Sequence, residues 1–149
     1  MKRVLLSVMA GLLLFGNSQG QVNDSKEVIL ESPTLLLYYN INGVTKTKGN
    51  TVKIWLKVVP KSKKFKDEYE KSRKKNWPKH HAPYIFTLVL QEYDCEGMVR
   101  YLDGVDYGEN HEKIGRIRPT SLAEIAWRNI IPENNEDKIS KDVCKVLEK

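Results

Sequence analysis

The chain has 149 residues, of which 25 are Lys or Arg and 19 are Asp or Glu, so its formal net charge is +6. This length fits a single domain. The charge is too small to indicate a polyanion partner by itself, and the sequence contains no P-loop, nucleophile elbow or zinc-protease motif. We therefore expect a protein that is not an enzyme, with no catalytic residues, no cofactor and no nucleic-acid partner.

The first 20 residues have the pattern of a cleaved secretory signal peptide. Two basic residues precede an apolar run at residues 4–15, and Ser18 and Gly20 are the small residues expected before a cleavage point. The run is shorter than the ~20 residues that span a bilayer. A buried N-terminal helix is the alternative. No cysteine follows the run to accept a lipid, so we expect a periplasmic or secreted protein without a membrane anchor, and attachment to the cell surface stays open.

Residues 21–33 are predicted to be a polar leader, and residues 34–149 the folded domain. The domain opens with an apolar strand at residues 34–39. In residues 51–59 apolar side chains alternate with Lys and Trp, which is the period of a half-buried strand.

Residues 60–83 form a basic insert between two predicted strands. Nine Lys or Arg and three Asp or Glu fall within residues 61–79. A solvated, charged helix is one interpretation. The other is a docking surface for an acidic macromolecule such as a protein, because aromatic rings four residues apart share a helical face with cations around them. The predicted partner-binding residues are Lys64, Phe65, Tyr69, Arg73, Lys74, Lys75 and Trp77.

The segment after the insert reads as a long hairpin. Residues 84–93 carry apolar side chains at both odd and even positions, which predicts a central strand covered on both faces. Gly97 suits a tight turn, and residues 98–107 would form the antiparallel partner. A weaker strand is predicted at residues 113–118.

The C-terminal segment has the period of a helix. From Asn134, which can cap the first turn, the residues Ile139, Val143 and Leu147 recur at spacings of four. The predicted fold class is therefore α+β, a mainly antiparallel β-sheet with a C-terminal α-helix packed on it.

Cys95 ends a predicted strand, and Cys144 lies in the predicted helix. A cysteine pair in an exported chain most often forms a disulfide. Closing a loop of about fifty residues would stabilise the fold by roughly 4 kcal/mol and would join helix to sheet. Metal ligation is the alternative, but the pair lacks a C-x-x-C spacing and an adjacent His.

Two other groups of residues could form a ligand-binding or catalytic site. The pair His80–His81, together with His111, could bind a metal or haem, although two histidines beside prolines are more typical of a polar loop. Asp103, Asp106 and Glu109 could act as paired acids, although carboxylates beside glycines at strand ends are more typical of turns. Neither group predicts a metal site or a catalytic site.

Six short motifs along the chain are informative when taken together. They are Leu37-Tyr38-Tyr39-Asn40, Lys48-Gly49-Asn50, Glu92-Tyr93-Asp94-Cys95, Arg100-Tyr101-Leu102, Trp127-x-x-Ile130-x-Pro132 and Val143-Cys144. This combination resembles the bacterial surface-adhesin protein E-like domain family over roughly residues 34–146. The resemblance implies an antiparallel sheet with a C-terminal helix tied on by a disulfide. It also implies a binding protein for host or other extracellular proteins. A soluble periplasmic protein that binds a small ligand, or has a structural role, is the alternative function.

Overall fold

The computed structural model describes residues 27–76, 82–119, 121–123 and 125–148. The predicted signal peptide, Trp77 and the pair His80–His81 lie outside these residues.

The described strands form one antiparallel sheet. They are β1 (Glu27–Glu31), β2 (Leu35–Asn40), β3 (Thr45–Lys46), β4 (Thr51–Pro60), β5 (Tyr84–Asp94), β6 (Met98–Gly108), β7 (Lys113–Ile117) and β8 (Arg128–Asn129). Their order across the sheet is β1-β2-β4-β5-β6-β7, while β3 pairs with β4 and β8 with β6. Two α-helices accompany the sheet, α1 (Lys63–Asn76) between β4 and β5 and α2 (Asn135–Cys144) after β8. The predicted α+β class is confirmed.

The strand β1 corrects the prediction of a polar leader over residues 21–33. Glu27 to Glu31 pair with β2 along their whole length, from Glu27 opposite Asn40 to Glu31 opposite Leu36. Val28 and Leu30 pack against the core, while Glu27, Ile29 and Glu31 point to the other face of the sheet. The leader prediction was wrong here because a strand needs apolar residues only at alternate positions, so a mostly polar segment can still form one.

One face of the sheet and the helix α2 enclose the hydrophobic core. Ile139 and Val143, from the predicted helical stripe, are fully buried, which confirms that α2 packs on the sheet. The Asn134 side chain accepts a hydrogen bond of 2.8 Å from the Asp137 backbone N–H, so the predicted cap is also confirmed. The buried core residues are Tyr39, Val52, Ile54, Leu56, Tyr93, Val99, Ile139 and Val143.

The disulfide between Cys95 and Cys144 is confirmed. The two Cα atoms are 5.7 Å apart, and the bridge joins the residue after β5 to the last residue of α2. It therefore fixes the C-terminal end of α2 to the sheet beside the core.

The helix α1 packs on the same face of the sheet as α2 but towards the other end of the strands. Alternate β5 residues from Tyr93 to Thr87 share this face, with Tyr93 in the core beside α2 and Thr87 beneath α1. Among the described residues, neither helix covers the opposite face. The strand β5 is central as predicted, but the prediction that both of its faces are covered is not met by the described helices.

Candidate functional site

The face of the sheet that neither described helix covers carries apolar side chains from four neighbouring strands. The register places Tyr38, Lys57, Leu88 and Val105 side by side in one row across the strands. Because side chains alternate between faces along a strand, residues two positions away point to the same side. We call this surface the open face; it consists of Leu36, Tyr38, Trp55, Lys57, Val59, Phe86, Leu88, Leu90, Val105 and Tyr107.

Large apolar side chains are exposed on the open face and on the edge strand beside it. Trp55, on β4, is 43% exposed, and Ile29, on the edge strand β1, is 55% exposed. Leu88, Leu90 and Val105 are half-buried. An antiparallel sheet that faces water usually alternates polar side chains outward, and this surface departs from that pattern.

Aromatic rings surround Lys57 in the middle of the open face. Its Nζ lies 4.5 Å from the centre of the Phe86 ring and 5.7 Å from that of Tyr38. The Phe86 ring stacks on Tyr107 at a centroid distance of 4.9 Å and meets the His111 ring edge-on at 6.0 Å. The ammonium group thus contacts ring faces, an arrangement that stabilises a cation by a cation–π interaction.

Lys57 is the charged residue of the open face that packs most deeply. Only 9% of its surface is exposed, and burial lowers the pKa of its ammonium group, while the charge of Glu27 acts in the opposite direction. Lys57 forms no salt bridge or hydrogen bond with another described residue.

Two clusters of paired charges lie on this side of the sheet. Glu92 accepts a hydrogen bond of 2.6 Å from Arg100 Nε and lies 3.9 Å from Lys53 Nζ. Asp103 accepts from Arg116 Nε at 3.1 Å, and this partner lowers the pKa of the Asp103 carboxyl. The two clusters flank the apolar rows, whereas Lys57 lies within them and forms no salt bridge with a described residue.

The predicted docking residues Tyr69 and Arg73 lie on the inner side of α1. The Tyr69 hydroxyl donates to both carboxylate oxygens of Asp106 at 3.0 Å, and its ring lies 4.6 Å from that of Tyr84. Arg73 is 1% exposed, and its Nη2 donates to the Ala82 carbonyl at 2.8 Å. These two residues cannot contact a partner on the outer side of the helix. The prediction was wrong for them because spacing identifies residues that share a face without saying which way it points.

Asp106 is the buried carboxylate that holds α1 to the sheet. It is 0% exposed and also accepts a hydrogen bond of 2.7 Å from Thr87 Oγ1. Burial raises the pKa of its carboxyl, although the bonds from Thr87 and Tyr69 and the charge of Arg73 act in the opposite direction. Asp103 lies on the other face of the sheet, opposite Leu90, so the structure does not bring these two predicted acids together.

The outer side of α1 keeps part of the predicted basic surface. Lys63 pairs with Asp67 one turn along the helix. Phe65 is half-buried and stacks on Tyr69 at 6.5 Å. Four exposed lysines form no salt bridge with a described residue; we call them the outer lysines, and they are Lys64, Lys71, Lys74 and Lys75.

Sequence reasoning did not identify the open face. The apolar residues of β5 at even positions, Phe86, Leu88 and Leu90, were an available signal. Trp55 was a second signal, because it occupies a position of β4 where the alternation demands a polar side chain.

Comparison with family models, curated proteins and solved structures gives no match to this chain. The resemblance to the surface-adhesin family therefore stays a prediction. Neither described helix combines the length and apolar character needed to cross a lipid bilayer. Within the described residues, no cluster of three His, Cys, Asp or Glu side chains could hold a metal ion.

Proposed function

We propose that this chain is a small exported binding protein, without enzymatic activity, that docks a partner protein on its open face. The observation that carries the proposal is the apolar face that neither described helix covers, on which Trp55 is 43% exposed. Aromatic residues are enriched at protein interfaces and dominate their binding energy. A continuous apolar surface on a soluble protein often marks such an interface.

Export is the second part of the proposal. It rests on the signal-peptide pattern of residues 1–20. The disulfide between Cys95 and Cys144 is compatible with an oxidising compartment outside the cytoplasm. The resemblance to the surface-adhesin family supports a host or other extracellular protein as partner.

A second candidate surface is the row of outer lysines on α1. Their lack of salt bridges with described residues favours this candidate. Asp106 binds the inner side of the helix through Tyr69, so the outer lysines keep a fixed position relative to the sheet. Their positive charges could attract an acidic macromolecule.

Photocrosslinking from the open face tests the proposal. Trp55 is replaced by p-benzoylphenylalanine in the chain expressed in its own cells, and Glu68, on the exposed side of α1, is replaced in a matched control. We expect one discrete crosslinked protein from position 55 and none of that size from position 68. The same product from both positions, or a product from position 68 alone, would contradict docking on the open face.

A further inference from the structure

The centre of the open face combines an apolar surface with one unpaired cation. Lys57 lies between Tyr38 and Leu88 in the central row and is 9% exposed. Its ammonium group contacts the Phe86 and Tyr38 rings and no carboxylate of the described residues. Covering this row therefore removes the remaining water from a charge that forms no salt bridge with a described residue.

That desolvation discriminates between partners. A purely apolar partner would leave the Lys57 ammonium buried without a counter-ion, which is strongly unfavourable. A carboxylate placed opposite Lys57 would pair with it where water is excluded and the interaction is strong. Glu92 is bound to Arg100 and Asp103 to Arg116, and Glu27, whose charge acts on Lys57, forms no salt bridge with it.

We infer that the open face recognises an apolar polypeptide segment that presents a carboxylate to Lys57. This inference rests on the proposed function and adds the chemistry of the partner to it. The charge complementarity favours an acidic side chain or a chain terminus flanked by apolar residues. The aromatic side chains of the face suit a protein partner, because aromatic residues are enriched at protein interfaces.

The test uses a display library of random short peptides selected on the purified, disulfide-bonded protein. Peptides whose binding is lost on Trp55→Ser are kept as ligands of the open face. The leading peptide and a counterpart with its carboxylate changed to the matching amide are then titrated against the parent and three variants. The variants are Lys57→Met, Lys57→Arg and the control Lys53→Met, which removes a cation on the same strand and face.

We expect the selected peptides to combine apolar residues with an acid. The amide counterpart should bind the parent, Lys57→Arg and Lys53→Met about tenfold or more weakly than the acid does. On Lys57→Met the two peptides should bind alike. Thermal unfolding of each variant checks that its fold is kept, and if the Met variant does not fold, equal binding of the acid and amide peptides to the parent still overturns the inference.

Three other outcomes would contradict part or all of this account. If peptides bind the open face but the acid and amide forms bind the parent equally, the role of Lys57 is overturned and docking on the face stands. If the acid peptide binds more tightly than the amide peptide by the same factor on the parent and on Lys57→Met, the carboxylate pairs with another residue and the inference fails. If no selected peptide depends on Trp55, the proposed function and the inference both fail.

Discussion

Asp106 shows at the residue scale what a sequence pattern leaves undetermined. Its position between glycines indicated a turn carboxylate, yet the side chain is fully buried and joins Tyr69 of α1 to Thr87 of β5. Spacing correctly placed Phe65 and Tyr69 on one side of a helix. It could not show that this side faces the sheet, because the acceptor for Tyr69 lies 37 residues away in the chain.

The burial of Asp106 predicts a pH dependence of stability. Its pKa is raised in the folded state, whereas an unfolded Asp titrates near about 3.9. On acidification from neutral pH the folded state therefore binds this proton first, and the free energy of unfolding of the parent should rise relative to that of Asp106→Asn. Below about pH 4 the difference should become constant, because both states of the parent are then protonated.

Urea unfolding of the parent and Asp106→Asn at a series of pH values measures that difference. Only the difference is interpreted, since the other carboxylates titrate in both proteins. A difference that falls on acidification would mean that Thr87, Tyr69 and Arg73 stabilise the carboxylate by more than burial destabilises it.

At the scale of elements, strands with a clear apolar pattern and the C-terminal helix were predictable. The strand β1 was not predicted, because the segment around it is mostly polar. The strands β3 and β8 have two residues each, which is too short to show a periodic pattern. The helix α2 was predictable because Ile139 and Val143 repeat at four residues and Asn134 supplies a cap.

A substitution that places a charge in the core tests whether α2 packs on the sheet. Val143 is 0% exposed in the core, so Val143→Asp should lower the free energy of unfolding by several kcal/mol, because the carboxylate would be buried without a partner. Glu148→Lys, on an exposed position just after the helix, is the control and should change it little. Equal effects in urea unfolding would show that α2 does not pack through Val143.

The disulfide gives a second prediction for the same element. Cys95→Ser should lower the free energy of unfolding by roughly 2–5 kcal/mol, because the unfolded chain regains the freedom that the closed loop removes. Urea unfolding measures the loss. Quantitative alkylation of the native, exported parent should find no free thiol, and two free thiols would reject the bridge.

At the scale of the whole molecule, the open face could not be predicted from the sequence. It forms only when the register brings Tyr38, Lys57, Leu88 and Val105 into one row from four strands. Each strand alone shows apolar residues without indicating which face a helix covers. The isolation of Lys57 depends in the same way on which carboxylates lie beside it.

The affinity of the partner protein captured by crosslinking tests docking on the open face most directly. Isothermal titration compares the parent, Trp55→Ser and the double variant Lys74→Ser/Lys75→Ser. Trp55→Ser should weaken binding by about tenfold or more, since hot-spot residues at interfaces, among which Trp is enriched, contribute about 2 kcal/mol or more. The double variant should keep most of the affinity. An unchanged Kd for Trp55→Ser, with binding lost in the double variant, would contradict the account and assign binding to the outer lysines.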